Sequence, residues 1–262
     1  MDKVLQVAAS GMQAQKLFID VIANNLANVN TTGYKKSNLE FQDLLYQTIR
    51  RAGEPTSAQQ KRPSSLELGN GARVVATTRS FAQGAIVETD NPLDIAVDGD
   101  GFFMVRLPDG RTAYTRDGSF KLSADGSLVT ADGYIVEPEI TLPQDTRQVV
   151  IRPDGQVEVL LHGESESFPV GQLEMARFVN PAGLNALGHN LFEETPASGP
   201  AFVSTPGQDG LGLLQQGFLE TSNVDVVEEM VNMIEAQRAY EINSRVIRTA
   251  DEMYDVENRL TR

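Results

Sequence analysis

An α+β chain is predicted, with N- and C-terminal helices pairing as a coiled-coil-like inner domain and a mainly antiparallel β middle domain. Three observations carry that reading. Apolar residues recur at steps of three and four at both ends: Val4, Leu5, Ala8, Met12, Phe18, Ile22, Leu26 and Val29, then Val227, Met230, Ile234, Ala239, Ile242, Val246, Ala250, Met253 and Leu260. That spacing places each set on one helix face. Short β-branched and aromatic runs separated by Asp-Gly pairs fill the middle. Neither terminal segment has the turn residues to fold back on itself. Each stripe must therefore be buried against the other or against another chain.

The first helix is expected from about Lys3 to Val29, ended by Asn28, Asn30 and Gly33, which tolerate left-handed C-cap geometry. A short amphipathic piece with Leu39, Phe41, Leu44, Leu45, Tyr46 and Ile49 follows. Residues 50–65 are polar and rich in Gly, Pro and Ser, an extended or flexible arm rather than core.

Candidate strands are Arg73–Thr78, Phe102–Leu107, Thr112–Thr115, Val149–Ile151, Val157–Leu161 and Gln172–Phe178. Asp-Gly at 109–110, 117–118, 125–126, 132–133 and 154–155 reads as type I′ hairpin turns, which need positive φ at both central residues. The last helix starts near Ser222-Asn223, with Ser222 and Asp225 at capping-box spacing. The expected organisation is a discontinuous helical domain over 1–32 and 222–262, a connecting segment with its arm over 33–70 (arm about 50–66), and a β domain over 71–221.

The formal net charge of −14 argues against nucleic-acid binding, which needs a basic footprint. It also disfavours adsorption to anionic membranes. The charge is uneven. Residues 31–62 carry six bases (Lys35, Lys36, Arg50, Arg51, Lys61, Arg62) against three acids, whereas 85–200 carry seven bases against nineteen acids. This is either a solvated acidic surface with a basic loop or charge complementarity between stacked subunits. Without cysteine, disulfides, thiolate catalysis and sulfur-ligated metal are excluded. No stretch has the length and apolarity of a membrane span, so no direct membrane insertion is expected. The start lacks the pattern of a Sec-type signal peptide.

His162 and His189 have no second ligand at metal spacing and read as loop histidines. Asp94, Asp98 and Asp100 lack the order of a calcium loop and read as turns. Glu228, Glu229, Glu235 and Glu241 read as a solvated helix face, since bundle metal sites want Glu-x-x-His. Asn24, Asn25 and Asn28 either cap and meet solvent or act as polar residues that fix the register of a helical seam. There are no paired catalytic carboxylates in a recognisable context. No catalytic, cofactor or metal set is assigned, and the chain is expected not to be an enzyme.

The segment ANNLANVNTTGYKK (23–36) strongly resembles the N-terminal signature of bacterial flagellar axial proteins, the rod and hook subunits. SNVDVVEEMVNMIEAQRAYEINSRVI (222–247) resembles their C-terminal signature. GFFMVRLPDGRTAYTRDGSF and DGSLVTADGYIVEP resemble their β-domain motifs. The signature positions here are Asn24, Asn25, Leu26, Asn28, Gly33, Ser222, Asn223, Val224, Gln237, Arg238 and Tyr240. The length, and the stretches FQDLLYQTIRRAGEP and SSLELGNGARVVATTRSFAQG, resemble the distal rod branch and its arm, which implies an inter-subunit arm with Arg50, Arg51, Pro55, Lys61 and Arg62; the middle of the arm, 56–62, matches least.

The resemblance implies a non-enzymatic subunit of the basal body, polymerising with copies of itself into a helical tube that carries torque and walls an export channel. It implies Leu5, Met12, Phe18, Ile22, Leu26, Val227, Met230, Ile234, Val246, Ala250 and Met253 as the inner-helix assembly interface. Implied partners are proximal rod proteins, the hook protein, the surrounding periplasmic and outer-membrane rings and the export apparatus, with export unfolded and no cleaved signal. The terminal helices are expected to be largely disordered in the monomer and to fold on assembly. The alternatives are a proximal rod or hook-type subunit, or a peptidoglycan-binding or processing module.

Overall fold

The computed structural model describes residues 2–52, 55–57, 60–61, 63–163 and 166–260. Helix α1 spans Asp2–Ala27 and helix α2 spans Val226–Leu260. Among the described residues, everything between them is β-structure and turns apart from one short 3-10 turn. The chain forms two compact units. One gathers 1–26, 37–78 and 225–262; the other gathers 27–36 and 79–224. These boundaries differ from those expected at 32/33, 70/71 and 221/222. The strand Ala72–Arg79 pairs with Ser37–Asp43 instead of joining the middle sheet. Residues 27–36 belong to the β unit, where the Gly33 N–H donates to the Glu220 carbonyl at 2.9 Å.

The helix starts and stops correct two expectations. The N-cap of α2 is Asp225, not Ser222. Asp225 Oδ1 accepts from the Val227 and Glu228 amides at 2.8 and 3.2 Å, satisfying two of the orphan first-turn donors. Ser222 Oγ accepts instead from the Val224 amide, ahead of the helix. At the end of α1, Asn28 and Asn30 do not take left-handed backbone; Gly33 does, at φ +67°. A Cβ there would lie 2.7 Å from the Asp117 nitrogen. Both the backbone angle and the close approach therefore demand glycine.

The β unit is built on a nine-stranded sheet. Its path runs 121–122, 128–129, 135–137, 102–106, 112–115, 191–193 and 185–188, and 175–177 joins 102–106 to 202–204. The strand Phe102–Arg106 is central. One edge pairs with Thr112–Thr115. The other is shared between Ile135–Glu137 and Met175–Arg177. Both its faces are covered. Phe103 and Val105 enter a core with Ile95, Leu128, Val136 and Leu173. Phe102 and Met104 enter a second core with Tyr114, Phe178 and Phe192. This alternation is the period-2 geometry of a strand. A three-stranded meander, 146–151, 156–161 and 168–172, forms a separate sheet. The end of the unit closes it: 213–216 pairs with 95–98 and 218–220 with 86–88, both antiparallel.

Four of the five Asp-Gly pairs form hairpin turns, but not type I′. In Leu107-Pro-Asp-Gly110, Ser123-Ala-Asp-Gly126, Thr130-Ala-Asp-Gly133 and Arg152-Pro-Asp-Gly155 the glycine amide donates to the residue three before it. The glycines sit at φ +83°, +82°, +87° and +87°, while none of the aspartates has positive φ. This is a type I turn followed by a left-handed glycine bulge, and proline is favoured at its second position. Asp117-Gly118 makes no hairpin. Gly118 lies so close to Ile95 that a Cβ would sit 1.7 Å from its carbonyl oxygen.

Burial, and after it the Glu194 carboxylate, push the Tyr114 phenol up to about 12. The folded value lies above the ordinary value near 10, so this contribution is complete below about pH 10 and is lost as pH rises toward 12. An ultraviolet phenolate titration should find one of the six tyrosines still protonated past pH 10, with the denaturation midpoint falling between about pH 10 and 12. Uniform titration of all six near 10 would contradict it.

Candidate assembly interface

The two helices pair antiparallel through a seam of small residues. Asn25 Nδ2 donates to Glu229 Oε2 at 3.4 Å. A Cβ on Gly11 would lie 2.9 Å from Asn243 Nδ2. The interval Gly11 to Asn25 equals the interval Glu229 to Asn243, fourteen residues in each helix, or about 21 Å. On α2 the buried or facing positions Glu229, Ala236, Asn243 and Ala250 recur every seven residues; Val4, Gly11, Phe18 and Asn25 do the same on α1. Ala8, Ala14 and Ile22 are also buried. Gly11 leaves room for the Asn243 side chain, and the seven-residue repeat keeps the seam in phase.

The expected interface set divides on this geometry. Ile22 and Ala250 are buried, and Leu5, Met12, Phe18 and Leu26 are half-buried. Phe18 meets Phe41 edge-to-face at 5.8 Å, so it packs within its own unit. Val227, Met230, Ile234, Val246 and Met253 are exposed, Val227 at 71 %. Val4, Ile242, Arg245, Val246, Thr249, Ala250 and Met253 line an open groove of about 550 Å³. The signature residues Gln237, Arg238 and Tyr240 share this outward exposure, as does Asn24. Glu229 corrects the reading of a solvated glutamate face: it is 3 % exposed and bonded to Asn25, while Glu228, Glu235 and Glu241 are exposed.

The arm doubles back as a β-ribbon. Gln47–Arg50 pairs antiparallel with Leu66–Leu68, and Pro55–Ser57 pairs with Gln60–Lys61. Arg50 and Arg51 are exposed. Arg62 and the side chains of Pro55 and Lys61 lie outside the described residues. Leu45 is 88 % exposed, and Tyr46, Ile49, Leu66 and Leu68 are also exposed. A two-stranded ribbon with no covering layer is marginal alone.

The remaining signature residues meet inside the β unit around an ionic junction that sequence reasoning missed. Lys35, one of the six bases of residues 31–62, is not part of a solvated loop: it is 1 % exposed, with Glu220 at 2 % and Arg116 at 5 %. Lys35 Nζ lies 2.6 Å from Glu220 Oε1 and donates to the Ala82 carbonyl at 2.9 Å. Glu220 Oε1 also accepts from the Gly84 amide at 2.8 Å. Arg116 donates to the Gly101 and Gly99 carbonyls, and its Nε lies 3.2 Å from Glu220 Oε2. That oxygen has ionic contact but no hydrogen bond.

Burial pushes the Lys35 ammonium below its usual range; the Glu220 carboxylate opposes that shift and the Arg116 charge adds to it. Beside this cluster, Asn223 ties three segments: Oδ1 accepts from the Lys36 amide at 2.7 Å, and Nδ2 donates to the Ser80 and Ala82 carbonyls at 2.9 and 3.0 Å. Asn28 caps locally, accepting from Thr31 Oγ1 at 3.2 Å. The N- and C-terminal signatures thus converge here. The signal for it lay in the signatures themselves, which carry Gly33, Lys35 and Asn223 within a few residues of charges.

The histidines and the aspartate run form no site. His189 Nδ1 lies 3.0 Å from Asp132 Oδ2 on the surface, and His162 is exposed in a turn. Asp94 accepts from the Thr89 hydroxyl and the Asn91 amide, both at 2.8 Å, as a turn residue. Among the described residues no group of three His, Cys, Asp or Glu is placed to hold a metal, and no helix is long and apolar enough to cross a membrane.

Three family models match the chain: flagella basal body rod protein over 5–35, flagellar hook protein FlgE/F/G D1 domain over 96–159, and flagellar basal body rod FlgEFG protein C-terminal over 215–260. The flagellar basal-body rod protein FlgG of Borreliella burgdorferi is 50 % identical over 100 % of both chains. Those of Caulobacter vibrioides (48 %, covering 98 % of this chain and 99 % of that one) and Bacillus subtilis (41 %, 93 % of each) are also similar. A crystal structure of the Helicobacter pylori flagellar hook protein FlgE2 aligns with 71 % of this chain and 43 % of its own at 16 % identity and TM-score 0.25, too loose a likeness to argue from. The chain belongs to the FlgG family of flagellar basal-body rod proteins and is a structural subunit of the rod.

Proposed function

We propose that copies of this chain assemble into the helical tube of the distal rod, carrying torque to the hook and walling the channel through which later subunits pass. The observation that carries this is the apolar outer face of α2: Val227, Met230, Ile234, Ile242, Val246 and Met253 stand exposed while small residues fill the seam to α1. Such a face requires a covering surface. A head-to-tail contact whose rotation does not close gives a filament. Gln237, Arg238 and Tyr240 lie on the same exposed helix and contact neighbouring copies. Proximal rod and hook subunits adjoin the two ends, the periplasmic and outer-membrane rings surround the shaft, and subunits arrive unfolded through the export apparatus with no cleaved signal. The role is mechanical, with no catalytic step.

The arm supplies stiffness. Its exposed apolar side chains and its bases lie against an acidic β unit of the next copy, where they resist sliding between protofilaments. Electron microscopy of polymers lacking residues 50–65 should show bent or curved tubes where the full chain gives straight ones. Straight rods of unchanged stiffness would count against it.

A further inference from the structure

The seam between α1 and α2 is made mostly of residues that do not care how it is aligned. Ala8, Gly11, Ala14, Ala236 and Ala250 are small and apolar and stay in the seam after a slip of one seven-residue step, although the same slip moves Phe18 from Ala236 to Asn243 or Glu229. Asn243 is polar but half-buried, whereas Asn25 and Glu229 are polar and buried. They are 1 % and 3 % exposed and sit in phase with the repeat. We propose that the Asn25–Glu229 hydrogen bond is the register key of the helix pair, selecting one alignment and hence the phase in which the outer face of α2 is presented.

Two further observations support this. Asn25 also grips the first peptide of the following strand: Nδ2 donates to the Ser37 carbonyl at 2.9 Å and Oδ1 accepts from the Ser37 amide at 3.0 Å. One side chain thereby ties the helix alignment to the point where the strand begins. Moreover, in the observed alignment a slip by one repeat places Glu229 opposite Phe18 or beyond the end of α1 at Ala27. It places Asn25 opposite Ala236 or ahead of the start of α2 at Val226. One slip buries the Glu229 carboxylate against Phe18 with no donor, and the other sets Asn25 against Ala236 without its carboxylate acceptor; burial penalises both. A single polar residue at a seam position is a known means of fixing register. The inference concerns pairing within one chain, so it stands or falls independently of polymer formation.

The chain has no cysteine, so engineered pairs report cleanly. G11C/N243C spans the native alignment, while G11C/A236C and G11C/A250C span slips of one repeat in either direction. Full-length chains, soluble and polymerised, are oxidised, and intramolecular disulfides are identified by peptide mass spectrometry. Only the native pair should close in the parent chain. In an N25L/E229L background, which keeps the seam apolar, the ratio of slipped to native crosslinks should rise about tenfold or more, the factor equivalent to about 1.4 kcal/mol. E229Q retains an acceptor for Asn25 and should behave as the parent. An unchanged ratio in N25L/E229L overturns the proposal, and so does slippage in E229Q. Loss of every crosslink also overturns it, because the pair would then be needed for association rather than alignment.

Discussion

Glu220→Ala is expected to lower the stability of the β unit by about 3–5 kcal/mol, the cost of removing one partner from a buried ionic group. The size follows from what remains. Lys35 and Arg116 stay buried beside one another with no carboxylate between them, and the Gly84 amide loses its acceptor. Lys35→Met should cost less, because Glu220 keeps Arg116 and the Gly84 amide. Arg111→Ala provides the scale for an ordinary pair: Arg111 bridges Asp109 and Glu193 at an exposed position, where such contacts are worth about 0–1 kcal/mol. Denaturant midpoints followed by near-ultraviolet tyrosine signal, at unchanged slope, give the comparison. A Glu220→Ala shift no larger than that of Arg111→Ala would remove the junction from the account of how this unit holds together.

The same junction explains why part of the molecule was not legible in the sequence. Lys35 and Glu220 lie 185 residues apart, and no local pattern links them. A lysine beside Lys36 reads as surface charge in the sequence because burial of such a residue depends on a partner that only the folded chain supplies. The helices, by contrast, were legible from step-of-three-and-four periodicity, and Thr112–Thr115 from its β-branched and aromatic composition.

Asp-Gly alone does not set the turn type: Pro108 and Pro153 fix φ for a type I turn in two of the four hairpins, and Ala124 and Ala131 adopt the same turn in the others. The seam was legible only in part for a related reason. Apolar periodicity picks out Ile22 and Ala250, which are buried, together with the large Val227, Met230 and Ile234, and passes over Gly11 and Ala236. Val227, Met230 and Ile234 are exposed and mark the face the subunit leaves uncovered.

That uncovered face makes the strongest test of assembly. Val227→Asp with Ile234→Asp should raise the concentration needed for polymerisation by about 10²- to 10⁴-fold. Each apolar side chain buried between copies contributes roughly 1.5–3 kcal/mol, so two losses remove about 3–6 kcal/mol, at about 1.4 kcal/mol per tenfold. Desolvating two new carboxylates adds to that. The monomer should be almost unaffected, because both positions are exposed in it and surface changes are usually within about 0.5 kcal/mol.

Ala236→Asp reverses the pattern. It places a charge in the buried seam and should loosen the helix pair itself before any contact between copies is made. Sedimentation across a concentration series reads the first effect. Amide exchange over residues 2–27 reads the second, and in the parent chain its protection should rise when polymer forms, since neighbours complete the burial of both helices. Polymerisation of the Val227→Asp, Ile234→Asp chain at the parent's threshold would mean that this face meets solvent in the rod, and that the contacts between copies lie elsewhere on the subunit.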